Sequence, residues 1–355
     1  MFGRLTNVIS RLRGDNADIL PLHRKIDELR LQISEREEEV SQHKSMVSQL
    51  EEGSVIRQRL RLLPKAESFL HYNSALDCHR VIAAHEYKER ASVEGQITNF
   101  LGVHVNVRFF SGMQDMGGTV EGIPHICNFH AEVTEWAAAL RAVDLSKNTF
   151  TVCELGAGFG CWMVNTAVAA KKRGLIVKAI GVEADEEHAR WMAEHCAQNG
   201  ISSDEFIAIR AIAGPHDGVA LFPVVDDSSA TYGLEPRFFH REETARAALE
   251  SGRFTKLPMV SADTIFGHSE RIDLLHIDIQ GGEADFIRSA LSILQQRVAY
   301  IVIGTHSRSI EGQIIADLTA ATGWDLEIEK PCDFYLPGLH THQDGLQAWR
   351  NIRLT

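Results

Sequence analysis

The stretch Glu154-Leu155-Gly156-Ala157-Gly158-Phe159-Gly160 constrains this chain more than any other, because an apolar run passes directly into three glycines with a helical pattern behind them. Glycines at such a junction let backbone approach a ligand closely and turn the following helix N-terminus towards it. The pattern predicts a strand over 150–155 and a helix over about 160–173, then a strand over 176–183 and a helix over 186–199. Further strands are expected over 206–211, 272–278 and 298–303, and further helices over 283–294 and 309–322. Alternation of this kind reads as βαβ units in an α/β fold, a doubly wound and mostly parallel sheet covered on both faces.

The glycine spacing is GxGxG, and Cys161 stands where a dinucleotide fingerprint wants its third glycine, which disfavours NAD. No GKS or GKT follows the loop, which disfavours a nucleoside triphosphate. Ligands of open parallel sheets lie outside the carboxyl ends of the strands. The second strand ends there in Val182-Glu183-Ala184-Asp185, and the Glu183 carboxylate suits a pair of ribose hydroxyls. Glu154 is a second carboxylate, placed to neutralise the amino group or sulfonium region of S-adenosylmethionine. The expected cofactor site is therefore Glu154, Gly156, Ala157, Gly158, Gly160, Glu183 and Ala184.

Further on, Asp273-Leu274-Leu275-His276-Ile277-Asp278-Ile279-Gln280-Gly281-Gly282-Glu283 places an acid at a buried strand end, followed by a glycine turn and a glutamate opening a helix. At these residues the chain resembles the FkbM-type S-adenosylmethionine-dependent methyltransferases, over roughly 148–355. The ELGAGFG and VEAD segments are shared by many methyltransferases, whereas DLLHIDIQGGE and IVIGTHSRSIEG are specific to the family. The resemblance implies the class I Rossmann-like fold, with Asp278 beside the transferred methyl and within the cofactor site. It also implies hydroxyls of sugars, glycans or natural products as acceptors. One departure lies at the third strand, where many related enzymes end in an acid that holds the adenine amine. Here Arg210-Ala211-Ile212-Ala213 has none, so adenine is expected against backbone and the apolar Ala211 and Ile212.

Methyl transfer from a sulfonium to a hydroxyl requires alignment of the acceptor and late removal of its proton. His306, in Thr305-His306-Ser307, is expected as the general base, with Asp278 orienting it or the acceptor. Gln280 and Glu283 are assigned to the substrate side. A divalent metal held by Asp278, Glu283, His276 and His306 is the secondary reading, and no metal site is assigned. His340 and His342 are read as solvated residues of a C-terminal loop.

Composition narrows the partners. Of 355 residues, Lys plus Arg number 36 against 48 Asp plus Glu, and a net charge of −12 repels nucleic acid. The Asn/Asp-Pro-Pro-Tyr/Phe motif of exocyclic amine methylation is lacking as well. Six scattered cysteines without a CxxC pair, and no apolar run near the roughly 20 residues of a membrane span, point to the cytoplasm. Residues 1–14 form a basic amphipathic segment, read first as a short helix on its own protein and second as a peripheral contact with the inner face of a membrane. Ile19, Ile26, Ile33, Val40 and Val47 fall seven apart, which predicts a coiled coil joining two or three chains. The expected organisation is thus 1–60 amphipathic segment and coiled coil, 61–147 helical adaptor or lid, and 148–355 catalytic domain. The leading functional expectation is O-methylation of a glycan or glycoconjugate hydroxyl. Other small-molecule or protein acceptors are the alternative, as is a coiled-coil scaffold with an inactive domain.

Overall fold

The structure is a computed structural model that describes residues 71–238, 242–335 and 340–355. The coiled coil, residues 1–14 and the boundary at 60/61 lie outside the described residues. Eight strands form the central sheet: β1 (Asn73–Ser74), β2 (Thr149–Leu155), β3 (Ile176–Glu183), β4 (Phe206–Arg210), β5 (Leu274–Ile277), β6 (Tyr300–Thr305), β7 (Trp324–Lys330) and β8 (Gly345–Asn351). Their spatial order is β1-β7-β8-β6-β5-β2-β3-β4. The run β6-β5-β2-β3-β4 is parallel, while β8 enters antiparallel between β6 and β7. The sheet is accordingly Rossmann-like, with the chain reversing its winding between β2 and β5.

Each central strand is buried on both sides, and its residues alternate between two cores. Phe150, Val152, Val177, Ala179, Leu274, Tyr300 and Val302 face one core. Cys153, Leu155, Ile180, Val182, Leu275, Ile277, Ile301 and Ile303 face the other. The first is covered by α1 (Val133–Leu145), α2 (Cys161–Lys172) and α3 (Glu186–Gln198), the second by α4 (Glu283–Arg297) and α5 (Arg308–Ala321). Among the described residues, no helix is long and apolar enough to cross a membrane.

Residues 71–147 are not a separate helical adaptor. They contain a strand of the main sheet, a hairpin (Gln96–Thr98 with His104–Asn106) and only one long helix, α1. The buried Trp136 of α1 packs edge-on against Phe100 at 4.9 Å and against Trp162 of α2 at 4.8 Å. Arg141 of α1 binds Glu327 of β7 at 3.2 Å, and Glu132 just before α1 receives the Lys330 ammonium at 2.5 Å. The reason is burial: the strand face under α1 is too apolar to stand in water. The C-terminal region differs from expectation as well, since His340–Gln343 is a strand paired with Asp333–Tyr335 rather than a loop.

Because α1 shares its core with the sheet, Trp136→Ala should cost about 3–5 kcal/mol, the usual range for a large aromatic deleted from a core. Denaturant unfolding followed by far-UV circular dichroism should show one displaced transition. A sheet transition left in place would mean that residues 71–147 detach independently.

Candidate active site

The three glycines after β2 all have left-handed backbone, and Gly156 is compelled to lack a side chain. A Cβ on Gly156 would stand 1.8 Å from the carbonyl oxygen of Asp278, at the end of the neighbouring strand β5. A Cβ on Gly158 would press against the Tyr232 ring at 3.2 Å. The loop then lies along a cleft of about 750 Å³, open to solvent, at the carboxyl ends of the parallel strands.

Glu183, at the end of β3, is the acid of that cleft. Its Oε2 accepts from the Gly158 N–H at 2.7 Å and its Oε1 from the Asp185 N–H at 2.7 Å. Burial raises its pKa, against the pull of His188 and of these backbone donors. The two N–H groups orient the carboxylate and leave further lone pairs for a ligand's hydroxyls. Ala184, Ala211 and Ile212 continue the same wall, joined by Phe222, Leu234 and Pro236. This apolar wall stands where the sequence lacks an adenine-binding acid. Gly156, Gly158, Glu183, Ala184, Ala211, Ile212 and Asp278 thus lie together, as expected for a nucleoside-bearing cofactor.

Three expected cofactor residues do not line the cleft. Residues 150, 152 and 154 share one face of β2, so Glu154 points towards α2 and its oxygens accept from the Trp162 and Met163 N–H groups at 3.1 and 2.8 Å. It serves as the anionic cap of that helix, beside its cross-strand neighbour His276. Burial pushes its carboxyl up to about 7, with His276 opposing. Ala157 and Gly160 shape the loop without joining the wall.

At the other end of the cleft, Asp278 follows β5 and His306 follows β6, as the neighbouring strands require. The His306 Nε2 lies 3.3 Å from Asp278 Oδ1, and its Nδ1 lies 3.0 Å from Glu283 Oε1. The Gln280 amide donates to Asp278 Oδ1 at 2.7 Å, and its backbone is left-handed at φ 56°. Glu283 is fully buried under the turn, accepting from the Ile279 and Gly281 N–H groups at 3.1 Å. It therefore orders the site from beneath and does not line the cleft, whereas the sequence reading puts it on the substrate side. Burial alone would lower the His306 pKa, but the two carboxylates outweigh it and hold the imidazole up to about 10. Asp278 goes the other way: burial raises it, and His306 and Gln280 bring it below the ordinary value. The two carboxylates thus favour the charged form of the ring over its free base.

His276 does not join this group. It shares a strand face with Asp278, but α1 brings Glu135 to its Nε2 at 3.0 Å, and its ring stacks on Trp162. Sequence reasoning missed two further residues over the cleft. Tyr232 stacks on His188 at 4.2 Å and its hydroxyl donates to the Phe109 carbonyl, while His188 pairs with the Ser228 carbonyl at 2.9 Å. No motif marks them, because Tyr232 reaches the cleft from an insertion between two strands of a small sheet, Gly218–Pro223 and Phe254–Val260.

The methyltransferase FkbM domain matches residues 154–323. A protein of Jannaschia sp. (strain CCS1), provisionally named a methyltransferase, is 40% identical over 238 residues, 67% of this chain and 85% of that one. Among solved structures, the methyltransferase FkbM of Methylobacillus flagellatus KT aligns at a TM-score of 0.36 and 11% identity, over 61% of this chain and 54% of that one. An rRNA methylase of Streptococcus thermophilus aligns at 0.37 and 9%, over 64% and 99%.

Gly156→Ala should cost more than the roughly 1–2 kcal/mol of a left-handed alanine, since the obstructing atom is a backbone oxygen that no rotamer change can move. Thermal unfolding should show a large loss of stability. An unchanged melting temperature would mean that the two strand ends do not meet as described.

Proposed function

Given that this chain belongs to the FkbM methyltransferase family, we propose that it is an O-methyltransferase whose acceptor is a hydroxyl of a sugar, glycan or glycoconjugate. Methyl transfer and S-adenosylmethionine as donor follow from the family; the oxygen acceptor is carried by one observation. At the end of the cleft opposite Glu183, the half-exposed Asp278 carboxylate is backed by His306 and Glu283, a set of groups suited to directing a hydroxyl and controlling its proton.

The chain's own residues divide the work. Gly156 and Gly158 provide a side-chain-free floor, Glu183 accepts from ribose hydroxyls, and Ala211 and Ile212 offer an apolar face to the base. The donor supplies an electrophilic methyl on a sulfonium, and the anionic end of the cleft suits that positive charge. Asp278 accepts the acceptor's hydroxyl hydrogen bond and takes its proton as the methyl passes from sulfur to oxygen, while His306 behind it holds the carboxylate's charge and orientation. The Asp278–Gln280 bond restrains the carboxylate further. Residues 19–50 are proposed to join chains, on the heptad spacing alone.

Labelled donor incubated separately with glycan, protein and nucleic acid fractions should mark the glycans through a base-stable ether. Label confined to protein or nucleic acid would sink the acceptor class. Glu183→Ala should weaken the donor by about one to two decades, as loss of charged hydrogen bonds does. Calorimetry with unchanged affinity would remove Glu183 from the ribose. His306→Ala should keep donor affinity and lose about 10²-fold in turnover, as misplacement of a reacting group does; wild-type turnover per folded molecule would discard its role.

A further inference from the structure

The geometry points to a divalent-cation site formed by Asp278, Glu283 and His306 at the acceptor end of the cleft. One ligand atom from each of the three lies within 4.8 Å of the others. In an octahedral shell of hard ligands at roughly 2.1 Å, neighbouring ligand atoms stand about 3 Å apart. The carboxylate-to-imidazole separations here are 3.0 and 3.3 Å. A cation on one ring nitrogen therefore meets one carboxylate at the separation of adjacent ligands, and the other carboxylate, which faces the opposite ring nitrogen, must move round to join it.

Two features separate this group from an ordinary surface ion pair. Glu283 is wholly removed from water, and the N–H groups of Ile279 and Gly281 fix its carboxylate before any ligand arrives. Such outer hydrogen bonds are what orient metal-binding carboxylates. Asp278, by contrast, is 42% exposed and forms part of the cleft wall, so a cation held there keeps coordination positions open towards the cleft. The site thus joins two anchored inner ligands to one that faces the substrate.

The donor set selects the ion. Two carboxylates with one imidazole, and no thiolate, suit Mn²⁺ or Mg²⁺ better than a soft metal. The positive charge would stabilise the oxygen of an acceptor hydroxyl as its proton leaves. This inference rests on the methyl-transfer reading only for what the cation does there, and its existence is tested without donor or acceptor.

The test is Mn²⁺ titrated into the chelator-stripped full chain, with free Mn²⁺ read by electron paramagnetic resonance. One equivalent should bind per chain, and His306→Gln and Asp278→Asn should each weaken it by about 10- to 100-fold, the range seen when metal sites lose supporting groups. Asp285→Asn, on the exposed side of α4, should leave it unchanged. Calorimetry of S-adenosylmethionine with His306→Gln checks that the variant remains folded. Absence of Mn²⁺ binding in the wild type, or equal binding in two folded variants, overturns the site. Donor binding without Mn²⁺ binding rejects the cation and spares the methyltransferase reading, whereas Mn²⁺ binding without donor binding does the reverse.

Discussion

The contact on which the site depends is the one between Gly156 and the carbonyl oxygen of Asp278. It joins the ends of β2 and β5, the two strands from which the chain winds in opposite directions. Such a reversal necessarily leaves a crevice, because the loops leaving the two strands part to opposite faces of the sheet. The absence of a side chain at Gly156 lets the strand ends close beneath that crevice. Glu183 on one side and Asp278 on the other then become its two anionic ends. The apolar wall, the Asp278–His306 pair and the proposed cation site are all placed by this one close approach.

Charge is the second organising constraint. Three buried or half-buried glutamates lie around the strand ends, and each is satisfied differently. Glu154 is satisfied by a helix N-terminus, Glu183 by the glycine loop, and Glu283 by its own turn together with His306. The backbone carries most of this stabilisation, so substituting a neighbouring side chain leaves the carboxylates largely oriented. His306 is the exception, since it alone bridges two of the acids on the acceptor side.

Much of this was legible in the sequence, for a physical reason. Strands β2, β3, β5 and β6 are covered on both faces and must read as apolar runs, and the glycine turns between them tolerate few substitutes. Glu183, Ala184, Ala211 and Ile212 could be placed at the cleft because strand ends in such a sheet have a known destination. What failed were questions of facing. Strand alternation put Glu154 on a definite face, but nothing local said that α2, and not the cofactor, lay there. Glu283 opens a helix after a glycine turn and so looked accessible, until the turn folded over it. The antiparallel β7 and β8 escaped notice because their burial comes from pairing across long sequence separations. Trp136 likewise gave no sign that α1 belongs to the main core.

The Tyr232 clasp bears on timing. Its hydroxyl bond to the Phe109 carbonyl and its stacking on His188 tie the insertion to the segment ahead of α1 across the cleft. A part-buried hydrogen bond contributes roughly 1 kcal/mol net and an aromatic contact about as much. A latch worth about 2 kcal/mol stands open for a few per cent of the time. Loop motions of this size recur within nanoseconds to microseconds, far faster than a typical turnover of about 10 per second. The clasp therefore opens and closes many times in each cycle without setting the pace of exchange.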